Sequence, residues 1–317
     1  MTASMVREQV GGKAAWLPGF VALSSVWGAS FALIKIAVQA GVTPLWVALW
    51  RCSLGALALL AFCAARRRPL PRDPGTWGHA LVVAALLNSA PFALLAFGEQ
   101  RVDSVAAGIV NATTPLLTLV FVLPLVPEEP LTTPRVLGLL VGFAGILVVL
   151  GVWNGLEAGV SLPGGLACLG ATTCYGAGFA YTRRYFSGRP GSVEALSTVQ
   201  VSCATLLLAV VAVALRSGPT WPGWGAAASL LVLGAVGTGF AFILNLGVIQ
   251  AAGPTIASTV TYVVPLWSTA LGTLWLGEPL HWNTLAGAVL VVAGILVTRR
   301  PPRPVGRHVR RRWARAG

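Results

Sequence analysis

The second half of this chain repeats the first. Trp27-Gly28-Ala29-Ser30-Phe31-Ala32 returns as Tyr175-Gly176-Ala177-Gly178-Phe179-Ala180. Pro115-Leu116 returns as Pro265-Leu266, Glu129-Pro130-Leu131 as Glu278-Pro279-Leu280, and Gly138 and Gly145 as Gly287 and Gly294. The offset stays between 148 and 150 residues, so few insertions separate the copies. Each copy holds five long apolar stretches. Five is odd. If every stretch crosses a bilayer, the two halves enter it from opposite faces. That is an inverted-topology repeat, which places a substrate site between pseudo-symmetric halves near the bilayer midplane.

Composition supports the bilayer. Hydrophobic residues make up 56% of the chain and charged residues 10%. A soluble chain carries about 25% charged residues, so this one has too few to cover a water-exposed surface. Apolar runs of about 18 residues read as membrane-spanning helices. They fall at roughly 16–38, 45–64, 77–97, 104–126, 135–153, 162–182, 195–215, 226–249, 254–276 and 282–298. The runs are continuous rather than alternating, which argues against a transmembrane barrel. The expected fold is therefore all-α, with ten spans in two five-helix repeats at 16–153 and 162–298, followed by a basic tail at 299–317. The first run follows Arg7 and Lys13 as a signal peptide would. Its partner at 162–182 argues for a retained helix instead. Cys52, Cys63, Cys168, Cys174 and Cys203 lie in apolar runs, odd in number and without metal spacing. They read as packing residues, and no metal or cofactor is called for.

The net charge of +13 is unevenly placed. With both termini cytoplasmic, 18 of the 22 Lys and Arg residues fall on the inner side. Only Lys35, Arg51, Arg101 and Arg216 do not. The positive-inside rule then sets both termini inside, which an even number of spans permits. The tail holds Arg299, Arg300, Arg303, Arg307, Arg310, Arg311, Arg312 and Arg315 without an acid. It reads as an orientation signal lying on anionic lipid. No nucleic-acid module accompanies it. Trp16, Trp46, Trp77, Trp153, Trp221, Trp224 and Trp282 fall at span ends, as an aromatic belt requires.

The sequence resembles the EamA-type carriers of the drug/metabolite transporter superfamily. The resemblance rests on Trp27 to Phe31 in the first span with Lys35 after it, and on Pro44 and Arg51 at the second. It rests also on Pro115 and Pro265 within the fourth and ninth spans. Glu-Pro pairs open the fifth and tenth, followed by spaced glycines. It covers about residues 16–298. It implies a transporter of the bacterial inner membrane that moves a small metabolite, often an amino acid, out of the cell.

Candidate site residues follow from the cost of polar groups in lipid. Pro115 and Pro265 each free a carbonyl one turn earlier, at Asn111 and Thr261, and read as paired helix breaks facing a cavity. Lys35 and Arg51 are the fixed charges within apolar runs. Each either snorkels or binds a substrate carboxylate, which suits the fork of Arg51. Lys35 maps onto Arg183, so a cation is expected at each mouth of the path. Trp27, Asn88, Asn111, Tyr175, Asn245, Tyr262 and Trp267 complete the set of deep polar and aromatic groups expected to bind substrate. Each either bonds a neighbouring helix or faces the cavity. No Asp or Glu lies well inside a span, so a central proton-carrying carboxylate is not expected. The glycines of spans five and ten mark scaffold or a homodimer surface.

The reading is a secondary transporter that exports a small metabolite, most often an amino acid or analogue, by alternating access. A membrane-embedded enzyme is one rival. Three scattered histidines and no buried carboxylate argue against it. A structural or regulatory membrane protein is the other, and it has no need of paired broken helices.

Overall fold

The computed structural model describes residues 16–99, 101, 109–154, 162–219, 221–276 and 282–298. The basic tail lies outside them. The described residues form ten helical spans and no strand. In the first half these are α1 (Leu17–Gln39), α2 (Pro44–Ala65), α3 (residues 74–99), α4 (Ile109–Leu125) and α5 (Thr133–Val149). In the second they are α6 (residues 162–186), α7 (Val193–Ala214), α8 (Gly223–Ala252), α9 (residues 254–276) and α10 (Trp282–Thr298). Helices α1, α2, α3, α7 and α8 are long and apolar enough to cross a bilayer on those grounds alone. The shorter α4, α5 and α10 are apolar throughout. Glycine-rich α6 and broken α9 complete the repeat.

Starts are written in the sequence. Asp73, Thr132 and Ser192 cap α3, α5 and α7 by accepting backbone N–H bonds. Pro44, Pro74 and Pro254 open α2, α3 and α9, where a missing N–H costs nothing.

Packing occurs mostly between the halves, in pairs that exchange when the repeats are swapped. Helix α1 packs on α8 and α9, and α6 packs on α3 and α4. Helix α2 packs on α8, and α7 packs on α3. The pairs α2 with α7, α4 with α9 and α5 with α10 map onto themselves. A two-fold pseudo-axis therefore runs between the halves. Because each half has an odd number of spans, the axis inverts one half against the other in the membrane.

The junctions confirm the alternation. Loops after α2, α4, α6 and α8 meet on one face. Arg189 pairs with Asp73 at 3.5 Å, and Arg184 with Glu128 at 3.8 Å. Thr255 Oγ1 donates to Glu129 Oε2 at 2.6 Å, with Arg135 3.6 Å from the same oxygen. The opposite face is tryptophan-rich. Trp46 Nε1 donates to Ser217 Oγ at 3.0 Å, Trp153 stacks on Trp282, and Trp221 meets Trp224.

Glycines set the closest approaches. A Cβ on Gly294 would lie 2.5 Å from Gly142 N and 2.6 Å from Gly138 O. Helices α5 and α10 thus touch backbone to backbone, the packing that small residues permit in lipid. A Cβ on Gly55 of α2 would lie 2.8 Å from Gly234 O of α8. That second contact brings Arg51, one turn before Gly55, against α8.

Candidate functional site

Between the halves lies a cavity of about 380 Å³. Its volume is within the usual range for a small-molecule site. Helices α1, α2, α3, α4, α6, α8 and α9 all contribute to its wall. The wall is mostly apolar and aromatic, with Trp27, Phe92, Tyr175, Phe179 and Phe242 among its residues. Trp27 meets Phe242 edge to face, with centroids 6.1 Å apart. Trp27 and Tyr175 are repeat equivalents, so each half presents one aromatic from the same register.

Arg51 is the one cation in this wall among the described residues. Its Nε donates to Thr238 Oγ1 at 3.1 Å, and its Nη2 to Gly237 O at 3.5 Å. Its guanidinium carbon lies 4.5 Å from the Phe92 ring centre, within cation–π range. No described carboxylate pairs with it. The two acceptors belong to a π-helical turn of α8 at Ala235–Phe240. Such turns carry an extra residue and often mark functional sites. Here the turn offers Arg51 a carbonyl and a hydroxyl. Thr238 Oγ1 in turn donates to Leu233 O at 3.1 Å.

Asn111, Asn245 and Thr261 also line the cavity. Asn111 and Thr261 flank breaks in α4 and α9. Helix α4 is interrupted by a turn at residues 112–113 and restarts at Thr114 with Pro115 in its first turn. The Asn111 carbonyl accepts from Thr114 Oγ1 at 2.7 Å. Thr113 Oγ1 donates to Val110 O, as Thr261 Oγ1 does to Ser258 O. In α9 the interruption falls at Thr259, whose hydroxyl donates to Ile256 O at 2.7 Å. Pro265 lies inside the continuous helix that follows. The expectation of a break at Pro265 is thus corrected by six residues. A proline removes one helix bond and kinks the chain, whereas the turn at Thr259 ends it.

Trp27, Arg51, Asn111, Tyr175 and Asn245 therefore come together around one space. Asn88, Tyr262 and Trp267 do not. Asn88 is fully buried and accepts from Gln200 Nε2 at 3.0 Å. Tyr262 lies over Gly142, and its hydroxyl donates to Leu139 O at 3.1 Å. Trp267 Nε1 donates to Ser24 Oγ at 3.0 Å. Each fastens one helix to another, which satisfies a polar group in lipid as well as a cavity does. The side chain of Lys35 lies outside the described residues. Its repeat equivalent Arg183 donates to Gln250 O at 2.8 Å at the end of α8, so that cation closes a helix rather than facing the path.

Sequence reasoning passed over Phe92, Phe242 and Glu129. Glu129 is buried between the α4–α5 loop and the start of α9, where the sequence alone reads as a loop. Its signal was the Glu-Pro-Leu triplet, repeated at Glu278.

A model of the EamA-like transporter family matches residues 15–151 and again residues 162–300. The chain belongs to the EamA-like transporter family. This EamA-like transporter is 30% identical over 298 residues to the aromatic amino acid exporter YddG of Salmonella typhimurium, covering 89% of this chain and 96% of that one. It is 28% identical over 290 residues to YedA, an uncharacterized inner membrane transporter of Escherichia coli, with 87% and 88% covered. It is 23% identical over 281 residues to YoaV, an uncharacterized transporter of Bacillus subtilis, with 88% and 94% covered. A solved crystal structure at 22% identity superposes with a TM-score of 0.75 over 90% of this chain and 98% of the other, a likeness of fold.

Proposed function

We propose that this transporter exports a small carboxylate-bearing metabolite, an amino acid or analogue, by alternating access around the central cavity. The observation that carries the reading is Arg51. It is a fixed cation in a mostly apolar wall, held by a hydroxyl and a carbonyl, with no described carboxylate as its partner. A guanidinium takes both oxygens of a carboxylate. The aromatic wall takes the apolar remainder. The name of the YddG relative agrees with that class.

Counterflow in proteoliposomes tests it. Amino acids should exchange, and their amides should compete weakly. In Arg51→Lys the bidentate fork is lost. Uptake of the free acid should fall about tenfold, and the disadvantage of the amide should shrink. If Arg51→Lys exchanges and discriminates as before, Arg51 does not read a carboxylate.

The same reading sets the arginine face toward the cytoplasm, through the charge asymmetry of the loops. The inner membrane address agrees with YedA. A cysteine placed at position 154 in a cysteine-free background should label from outside, and one at position 68 should not. The reverse pattern inverts the proposed orientation.

A further inference from the structure

The cavity wall holds an amide whose oxygen the fold leaves unpaired. Asn245 is only 2% exposed, and its Oδ1 is buried with no hydrogen-bond partner. A buried polar atom without a partner is costly and uncommon. Asn88, another buried amide, has Gln200 for its oxygen and stands outside the wall. Asn245 is the one that adjoins the cavity.

Its position on α8 is informative. Asn245 follows Thr238, the acceptor of Arg51, by seven residues, and follows Phe242 by three. Seven residues rise roughly 10 Å along the axis, and Phe242 and Asn245, three apart on one helix face, both line the cavity. Arg51 and Asn245 therefore stand at opposite ends of one strip of wall. Phe242 and its edge-to-face partner Trp27 lie on that strip.

We infer that Asn245 determines specificity. It accepts a hydrogen bond from a donor at the end of the substrate remote from the carboxylate held by Arg51. The inference rests on the carrier reading above. The torsion that turns an asparagine amide is broad and roughly two-fold, so Oδ1 swings to the cavity without moving the helix. The α-ammonium of an amino acid is bonded beside the carboxylate and stays at the Arg51 end. A phenol hydroxyl or an indole N–H at the tip of a flat side chain reaches the other. The substrate class is an amino acid whose long apolar side chain ends in a hydrogen-bond donor.

Three probes in proteoliposome counterflow decide the matter: phenylalanine, tyrosine and O-methyltyrosine. Tyrosine should half-saturate exchange at a concentration about tenfold below either of the others. O-methyltyrosine keeps the oxygen but has no donor, so it should group with phenylalanine. In Asn245→Leu, the half-saturating concentrations of the three probes should converge within about twofold, whatever the maximal rate. A wild-type protein that exchanges phenylalanine but treats tyrosine and O-methyltyrosine alike overturns the assignment of Asn245 and leaves the carrier reading standing. That comparison needs no variant, so it decides even if Asn245→Leu fails to fold. Exchange of another amino acid but of none of the three probes overturns this inference and leaves the carrier reading standing, whereas absence of exchange for every amino acid overturns both.

Discussion

Two places in this molecule are built alike and filled differently. In the first, Arg51 of α2 meets the π-helical turn of α8 through Thr238 and Gly237. In the second, Gln200 of α7 meets the π-helical turn of α3 at Ala85–Ser89 through Asn88. Gln200 is the residue 149 positions after Arg51, and Gly237 is the residue 149 positions after Asn88. The scaffold is conserved across the pseudo-axis: one long polar side chain reaches from a straight helix to an extra residue in a bent one. Chemistry is not conserved. The first place carries a fixed charge and faces the cavity. The second is neutral, and its two residues are 1% and 0% exposed. Duplication thus supplies the frame, and substitution at one register assigns the polar end of the site to one half.

Forcing the charge onto the wrong half should have the largest effect. Gln200→Arg places a cation where the native amide is fully enclosed and no described carboxylate pairs. It also removes the bond to Asn88, which already has an unpaired Nδ2. An uncompensated buried charge costs about 3–5 kcal/mol. The thermal midpoint in detergent should fall steeply, along with the yield of monodisperse protein. A Gln200→Arg protein as stable as wild type would mean that water reaches the second place too. The two places would then differ less than their burial indicates.

Removing the charge from the right half should leave the fold and cost transport. Arg51→Gln makes the two places chemically equal, and a glutamine is already accommodated at the equivalent crossing. The thermal midpoint should change little. Uptake of carboxylates should drop roughly 100-fold, the equivalent of about 3 kcal/mol for losing one partner of a buried charge pair. Counterflow at fixed protein density measures it. Equal flux in wild type and Arg51→Gln would reduce the asymmetry to a packing detail.

The frame was easier to read from the sequence than the filling. Apolar run lengths gave the ten spans. The glycines at 138, 142, 145, 287 and 294 announced close approaches by α5 and α10, because only small residues let backbones touch, but that the two helices approach each other came from the structure. The register of the repeat exposed Arg51 as the position where the copies differ. What the register did not show is which polar groups face the cavity. Asn88 and Asn245 look the same in sequence, yet one bonds Gln200 and the other lines open space. The distinction depends on helix rotation, set by packing across the pseudo-axis. The π-helical turns were hidden for a related reason. Ala85–Ser89 contains no proline or glycine, so nothing in its composition marks the extra residue. The break in α9 was misplaced because proline is the visible marker, while Thr259 is one hydroxyl among several that bond backward along the chain.

The smallest expected effect sharpens the same comparison at the starts of the two bent helices. Asp73 caps α3, accepting from Gly75 N, Thr76 N and Thr76 Oγ1. The residue 149 positions later is Pro222, which precedes α8 and offers no side-chain cap. The Thr76 hydroxyl and the two backbone amides, together with nearby Arg189, hold the Asp73 carboxyl below the usual aspartate range. A carboxyl lowered in the folded state contributes stability above its unfolded pKa, about 3.9. That contribution is lost as the pH falls through the lower folded value. Of these two helix starts, only that of α3 should therefore loosen on acidification. Hydrogen exchange at Gly75 and Thr76 should be slower in wild type than in Asp73→Ala near neutral pH. The two proteins should converge once the pH passes below the folded pKa. Amides at the start of α8 should show no such difference at any pH. Convergence absent at low pH, or a matching change at α8, would mean that the cap does not act through the ionised carboxylate and that the two helix starts are held alike.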